Sequence, residues 1–420
     1  RYLMKAYFQM FWILGLLAAP IVGGAIEGPL LQHKDDLIFD EKMSLRDVVE
    51  AAYERYPQNE LVFALEEEAR ALNQRSASFI AGFPMVYLQY INYTNISKNG
   101  IDNIQTGYQI PVWMWGQREA SQKVADRAQQ GTEKYLKAFK HELAGMIRDA
   151  LWGLRLAESK LQLSHQIYEV AEKLSAVVKR RVDLGDLARA DLLLAESDRL
   201  EKKTNLIQME AEVMHARHNY QNLTRMDRAP QNFDEHQSTA QDLDERHPSI
   251  EAAGAAVERA QAEVEFISRS KQNTQPTALV GTDSTNGNGG HYGTGLNVVL
   301  QIPIGGDDWH APQVAQANVL LNEKIIQREK LWRQLEKALH EARHNIEVDK
   351  AALEIARERK KIAETQLKMS HVAFESGEIA LIDYLKIQAN AFAAIQESTQ
   401  RGIVLQKDTA IYNQVIGVTP

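Results

Sequence analysis

His340-Glu341-Ala342-Arg343-His344 spells a catalytic pattern. In H-E-x-x-H, two histidines one helical turn apart can hold Zn²⁺ while the glutamate acts as general base. Arg343 opposes that chemistry, because it sets a cation between the ligands. Lys337, Glu341 and Glu347 give the stretch the character of a solvated helix wall. His215-Ala216-Arg217-His218 is another pair, three apart, and reads as a polar helix face. Gly287 to Gly295 has the glycines of a phosphate loop. It lacks Gly-Lys-Ser/Thr and runs into a strand, so it reads as a surface loop in which His291 could touch passing ions. No Ser-His-Asp set or carboxylate cleft can be placed. The expectation is a protein without catalytic, cofactor or resident metal residues. Asp191 and Asp383 are the more informative acids, since each follows a glycine, Gly185 or Gly377, by the same six residues.

That coincidence belongs to a repeat. Gln109-Ile110-Pro111 recurs as Gln301-Ile302-Pro303, 192 residues later. The pairs Gly185/Gly377, Asp191/Asp383 and Tyr220/Tyr412 share that offset, and Tyr56-Pro57 matches His247-Pro248 at 191. The period is far longer than a solenoid unit, so it reads as a duplicated half-protein.

Composition narrows the class. The chain has 420 residues and a formal charge of −8, which excludes a generally basic nucleic-acid binder. It is 44% hydrophobic and 25% charged, as folded proteins are. The absence of cysteine removes disulfides, thiolate metal sites and thiol nucleophiles. A mean hydropathy of −0.38 excludes a polytopic helical membrane protein but not a β-barrel, whose strands are half apolar. Arg1 and Lys5 precede an uncharged run from Ala6 to Ile26. With Pro20, Gly23 and Gly24 it reads as an export signal cleaved after Ala25, the alternative being an uncleaved anchor.

Each half presents helices, a pair of strands and a long helical hairpin. Ser44 is placed to cap a helix carrying Leu45, Val48, Val49 and Ala52, and a second stretch runs from Pro57 to about Ala81, its partner from about Ser249 to Gln272. In the strand ending at Val112 the even positions include Ile104, Tyr108 and Ile110, with Gln105, Gly107 and Gln109 between them. From Tyr292 to Ile302 the even positions include Leu296, Val298 and Leu300. This is period-two alternation of the same parity in both halves. Preceding strands at about 85–93 and 277–282 are less regular. Asn99-Gly100 and Asn286-Gly287 suit hairpin turns.

The hairpins span about 117–224 and 312–415. A heptad seam runs through Leu143, Ile147, Ala150, Leu154, Ala157, Leu161, Ser164, Tyr168, Ala171, Ser175, Val178 and Val182, and Leu193, Leu200, Ile207 and Met214 recur every seven residues. The breaks fall at Asp183-Leu-Gly-Asp186 and Glu375-Ser-Gly-Glu378. The division is then 1–25 signal, 26–225 first repeat, 226–243 linker and 244–420 second repeat. Four strands cannot close a barrel, and an open four-stranded sheet with an apolar face would aggregate, so other copies must complete it.

The chain resembles the TolC-type outer-membrane efflux proteins. The resemblance runs from about Ser44 to the end. It rests on the duplication, Ser-Leu-Arg-Asp-Val-Val-Glu-Ala-Ala at 44–52, the Gln-Ile-Pro strand ends, and tips reading Arg181-Val-Asp-Leu-Gly-Asp-Leu-Ala-Arg-Ala-Asp191 and Phe374-Glu-Ser-Gly-Glu-Ile-Ala-Leu-Ile-Asp383. It implies a mainly α protein with a β-barrel portion. Long antiparallel hairpins would form a trimeric α-barrel through the periplasm, and four strands per chain would contribute to a shared 12-stranded outer-membrane barrel. It also implies a periplasmic adaptor, an inner-membrane proton-driven pump, and a passive exit duct rather than an enzyme. Asp383 stands where such proteins line their periplasmic constriction, with Gly377, Gly185, Asp186 and Asp191 at the tips. Lys386 replaces a second acid. The chain's length and lack of an acylated cysteine resemble channels for heavy-metal cations, with drug efflux and protein secretion as alternatives. A structural coiled coil of the periplasm is a remote one. Trp113, Trp115 and Trp309 suit an aromatic girdle or ordinary packing.

Overall fold

Ser44 opens the first helix with a capping box. Its hydroxyl accepts from the Asp47 N–H at 3.2 Å, and the Asp47 carboxylate takes the Ser44 N–H at 2.9 Å. The computed structural model describes residues 36–93, 101–270, 275–286 and 290–420. The expected signal segment, Asn99-Gly100 and Gly287 lie outside the described residues.

The elements are β1 (Ile38–Asp40), α1 (Leu45–Arg55), α2 (Gln58–Ala77), β2 (Met85–Asn92), β3 (Asp102–Pro111), α3 (Gln117–Asp183) and α4 (Arg189–Thr224). Then follow β4 (Arg228–Pro230), α5 (Pro248–Arg269), β5 (Thr277–Asn286), β6 (Tyr292–Gln301), α6 (Asp307–Glu375) and α7 (Leu381–Val415). The second long helix thus begins before the expected 312, with Pro312 inside it. Gly306, in the left-handed region at φ 87°, starts the helix there. Pro312 lies one turn beyond the unpartnered first amides, so it forgoes the bond to the Asp308 carbonyl, a cost the rest of the 69-residue helix carries. The strand β5 runs four residues past the expected 282. The amphipathic α1 has no helical counterpart in the second half, where 226–247 holds only β4.

The long helices α3, of 67 residues, and α6, of 69, each extend about 100 Å. Towards their N-termini they alternate with α2 and α5 in the order α2-α3-α5-α6. Towards their C-termini the order is α4-α3-α7-α6. The strands follow the same order, β2-β3-β5-β6. Each half therefore occupies one side of a continuous layer. The α3 seam is buried or half-buried at all its named positions, because α3 has neighbours on both sides.

The main core sits midway along α3. Leu143, Ile147, Leu151 and Trp152 pack with α1, Tyr220 and Phe233 of the linker. Trp152 meets Phe233 edge-on at 4.9 Å. The short β1 and β4 pair in parallel beside this core.

Candidate functional site

The sheet is antiparallel throughout, and its registers join even positions to even positions. Val86, Tyr108, Val280 and Val298 form one row; Leu88, Thr106, Thr282 and Leu296 form the next. This face is mainly apolar, with Thr106, Thr282, Ser284 and Thr294 among its rows and Asp102 at one end, and Leu296, Val298 and Leu300 on it are each more than 60% exposed. Tyr108 is on the same face and exposed, and Ile110 is half-buried on it. The odd face is more polar and smaller in its middle rows, such as Gln89, Gln105, Asp283 and Gly295, with Met85, Leu279 and Val299 in a row near the helices. An apolar exposed face opposite a polar one is the alternation of a barrel wall that meets lipid outside and water inside.

The two halves meet at Gly107 and Gly281, which pair directly. A Cβ on Gly281 would sit 1.9 Å from the Thr106 carbonyl oxygen, and one on Gly107 would sit 2.7 Å from that of Val280. Only glycine permits this approach. Below the sheet a cavity of about 1330 Å³ is lined by both Gln-Ile-Pro motifs, through Gln109, Pro111, Gln301, Ile302 and Pro303, and by Arg75. Nearby, Trp113 donates to the Ser78 carbonyl at 3.0 Å while Trp115 is fully exposed.

The hairpin tips are built alike. Gly185 and Gly377 take φ of 84° and 81°. The Asp186 N–H reaches the Arg181 carbonyl and the Glu378 N–H that of Ala373, both at 2.8 Å. This six-to-one closure with a left-handed glycine ends each helix. Ala188 and Ala380 are the N-caps of the outgoing helices, so Asp191 and Asp383 lie in the first turns and do not cap. Their charge suits the positive helix end. Lys386 stands 3.6 Å from Asp383, with both side chains largely exposed.

Sequence reasoning missed what joins the tips. Arg181 donates to the Phe374 carbonyl at 3.2 Å and lies over the Phe374 ring at 5.5 Å. Phe374 stacks on Tyr384 at 5.1 Å, among Leu174, Val178 and Leu381. It also missed a buried hub at mid-height. Arg148 is 4% exposed and forks onto Glu235 at 2.7 and 3.0 Å, and Asn413 donates to the same carboxylate at 3.0 Å. A charged residue inside the buried run from Leu143 to Leu154 was the available signal.

Beside the hub, His141 packs edge-on against His247 at 5.1 Å. Burial first, then His247 and the Arg148 charge, hold His141 down to about 4, against a bond to the Gln414 carbonyl. His247 is lowered too, chiefly by burial. On α7, burial first and then the adjoining Asp349 carboxyl raise Asp408 well above the usual carboxylate range, Lys407 opposing.

His340 and His344 are exposed on α6, Glu341 pairs with Lys337 at 3.6 Å, and Arg343 binds the Gln241 carbonyl. His215 and His218 are exposed on α4. Among the described residues no three His, Asp or Glu side chains converge to hold a metal. None of the described helices is long and apolar enough to cross a membrane.

No family model and no curated protein matches the sequence. Solved structures do match in shape. The outer-membrane channel OprN superposes with a TM-score of 0.71 at 14% identity, over 94% of this chain and 98% of that one. The outer membrane protein VceC of Vibrio cholerae gives 0.70 at 13% identity, over 89% and 96%. The Campylobacter jejuni CmeC outer membrane channel gives 0.68 at 13% identity, over 89% and 85%. The duplicated strand pairs and long hairpins, matched over nearly the full length of those chains, give this protein the fold of solved outer-membrane channels.

Proposed function

We propose that the chain is the outer-membrane exit duct of a tripartite efflux system, and that it performs no chemistry of its own. The observation that carries this is the sheet, with a mainly apolar exposed face and a more polar face behind it. Such a sheet is stable only when closed and set in lipid.

Closure fits the edges. The outermost strands β2 and β6 run antiparallel, so β6 of one copy can continue the alternation with β2 of the next. The outermost helices carry matching stripes. Val348, Ile355, Ile362 and Met369 recur every seven residues on α6, and Leu193 and Leu200 on α4; all are exposed by about half or more. Head-to-tail contact between unlike edges closes a ring. Following the family resemblance, the ring is a homotrimer with a 12-stranded barrel in the outer membrane and a helical tube reaching into the periplasm. The tips would meet an adaptor protein and an inner-membrane pump, which supplies the energy. Asp383, with Asp191 and Asp186 on the other hairpin tip and Gly185 and Gly377 shaping the turns, would line the constriction. The proposed cargo is a heavy-metal cation, with drug efflux or protein secretion as the alternatives.

Outer-membrane fractionation, heat-modifiable migration and planar-bilayer conductance test the duct. A soluble monomer without conductance would refute it. For cargo, a deletion strain is challenged with zinc, cobalt, cadmium, copper and silver salts beside a drug panel. Metal sensitivity alone supports the cation reading, and drug sensitivity alone replaces it.

A further inference from the structure

Asp283 is the lone charged residue that the four strands place on their polar face; the other charged strand residue, Asp102, lies at a strand end on the opposite face. Both of its carboxylate oxygens are held by neutral donors. Asn103 Nδ2 reaches Oδ1 at 2.5 Å, Gln105 Nε2 reaches Oδ2 at 3.0 Å, and the Thr285 hydroxyl reaches Oδ1 at 3.3 Å. These bonds fix the direction of the carboxylate and leave its charge in place. On the other side its cross-strand neighbour is Gly295, where an added Cβ would meet nothing within 4 Å. The carboxylate is thus anchored from one flank and open on the other.

We infer that Asp283 sets the ion selectivity of the barrel: each copy contributes one such carboxylate, and together they form an anionic ring inside the sheet that admits cations and resists anions. The inference rests on the closed-barrel reading above and extends it. A ring of like charges between low-dielectric walls raises the local concentration of counter-ions. It lies in the sheet, whereas Asp383 lies at the far end of helices about 100 Å long. Its selectivity therefore persists when the tips are open. It also weakens with salt, since screening acts over about 10 Å at 0.1 M.

The test is the reversal potential of full-length channels in planar bilayers under a KCl gradient. Wild type should prefer K⁺ over Cl⁻. Asp283→Asn should lower that permeability ratio roughly threefold, and Asp283→Glu should keep it. Gly295→Lys sets a cation beside the intact carboxylate in open space, so it should lower the ratio as well and carries the test if Asp283→Asn fails to assemble. Conducting Asp283→Asn or Gly295→Lys channels with wild-type reversal potentials would overturn the inference. Wild-type protein that never conducts would instead remove the channel reading, and this inference with it.

Discussion

Tyr220 and Tyr412, 192 residues apart, make the same bond: each donates its hydroxyl to a carbonyl of the segment joining the two halves, Arg228 at 2.9 Å and Ala240 at 2.6 Å. Both rings are at most 2% exposed, and burial pushes the Tyr220 phenol upward. The duplicated tyrosines thus clamp one linker from both hairpins. Tyr220→Phe and Tyr412→Phe should each cost about 1 kcal/mol, leaving a carbonyl unpaired. Because they are separate sites, the double variant should cost about the sum. Urea midpoints read this, and a double variant no worse than either single one would show that the clamp acts as a unit.

Gly281→Ala forces a methyl against the Thr106 backbone, whereas Gly293→Ala meets its nearest neighbour, the Thr285 carbonyl, at 4.0 Å. We expect Gly281→Ala to lose the heat-modifiable membrane form while far-UV circular dichroism stays helical. Gly293→Ala should assemble. Normal assembly of Gly281→Ala would mean that β3 and β5 can separate by more than the register shows.

Ile362 is 69% exposed and Leu200 is 55% exposed in the single chain. Ile362→Glu or Leu200→Glu should leave secondary structure intact and dissociate the oligomer in sedimentation analysis. Loss of helicity would place these stripes inside the chain rather than between copies.

Two buried groups bend stability with pH in opposite directions. His141 titrates near 4 in the fold against an ordinary 6.5, so the unfolded chain binds more protons between those values. Its contribution, on the order of 3 kcal/mol, is present above pH 6.5 and is lost as pH falls towards 4. His141→Gln should flatten the acid limb of a Tm-against-pH curve. Asp408 is raised instead, so its cost grows as pH rises from about 4 through its folded value. Asp408→Asn should raise Tm at pH 8 and leave it unchanged at pH 4. An unchanged wild-type profile in both variants would refute both assignments.

At the tips, Gly377→Ala places a side chain at φ 81° and should cost about 1 kcal/mol. Asp383→Ala should raise single-channel conductance or alter cation block. Conductance and block identical to wild type would remove Asp383 from the constriction.

The duplication, the strand parity and the glycine tips were legible because each is written in neighbouring residues. Alternation along Ile104 to Val112 places Tyr108 and Ile110 on one face whatever lies beside them, and a glycine between helical runs marks the left-handed turn. The sequence by itself therefore determined a doubled unit with a two-faced sheet and two long hairpins. Only the tertiary structure decided which stripes are spent inside the chain. The α3 seam is buried because α4 and α7 flank it. The similarly spaced Leu193 and Leu200 are left outside because α4 is an edge. The Arg148–Glu235 fork, the Arg181–Phe374 link and the amides that hold Asp283 join residues 87, 193 and about 180 positions apart. Local periodicity carries no information about such partners, because a side chain's contacts across elements depend on how distant segments pack.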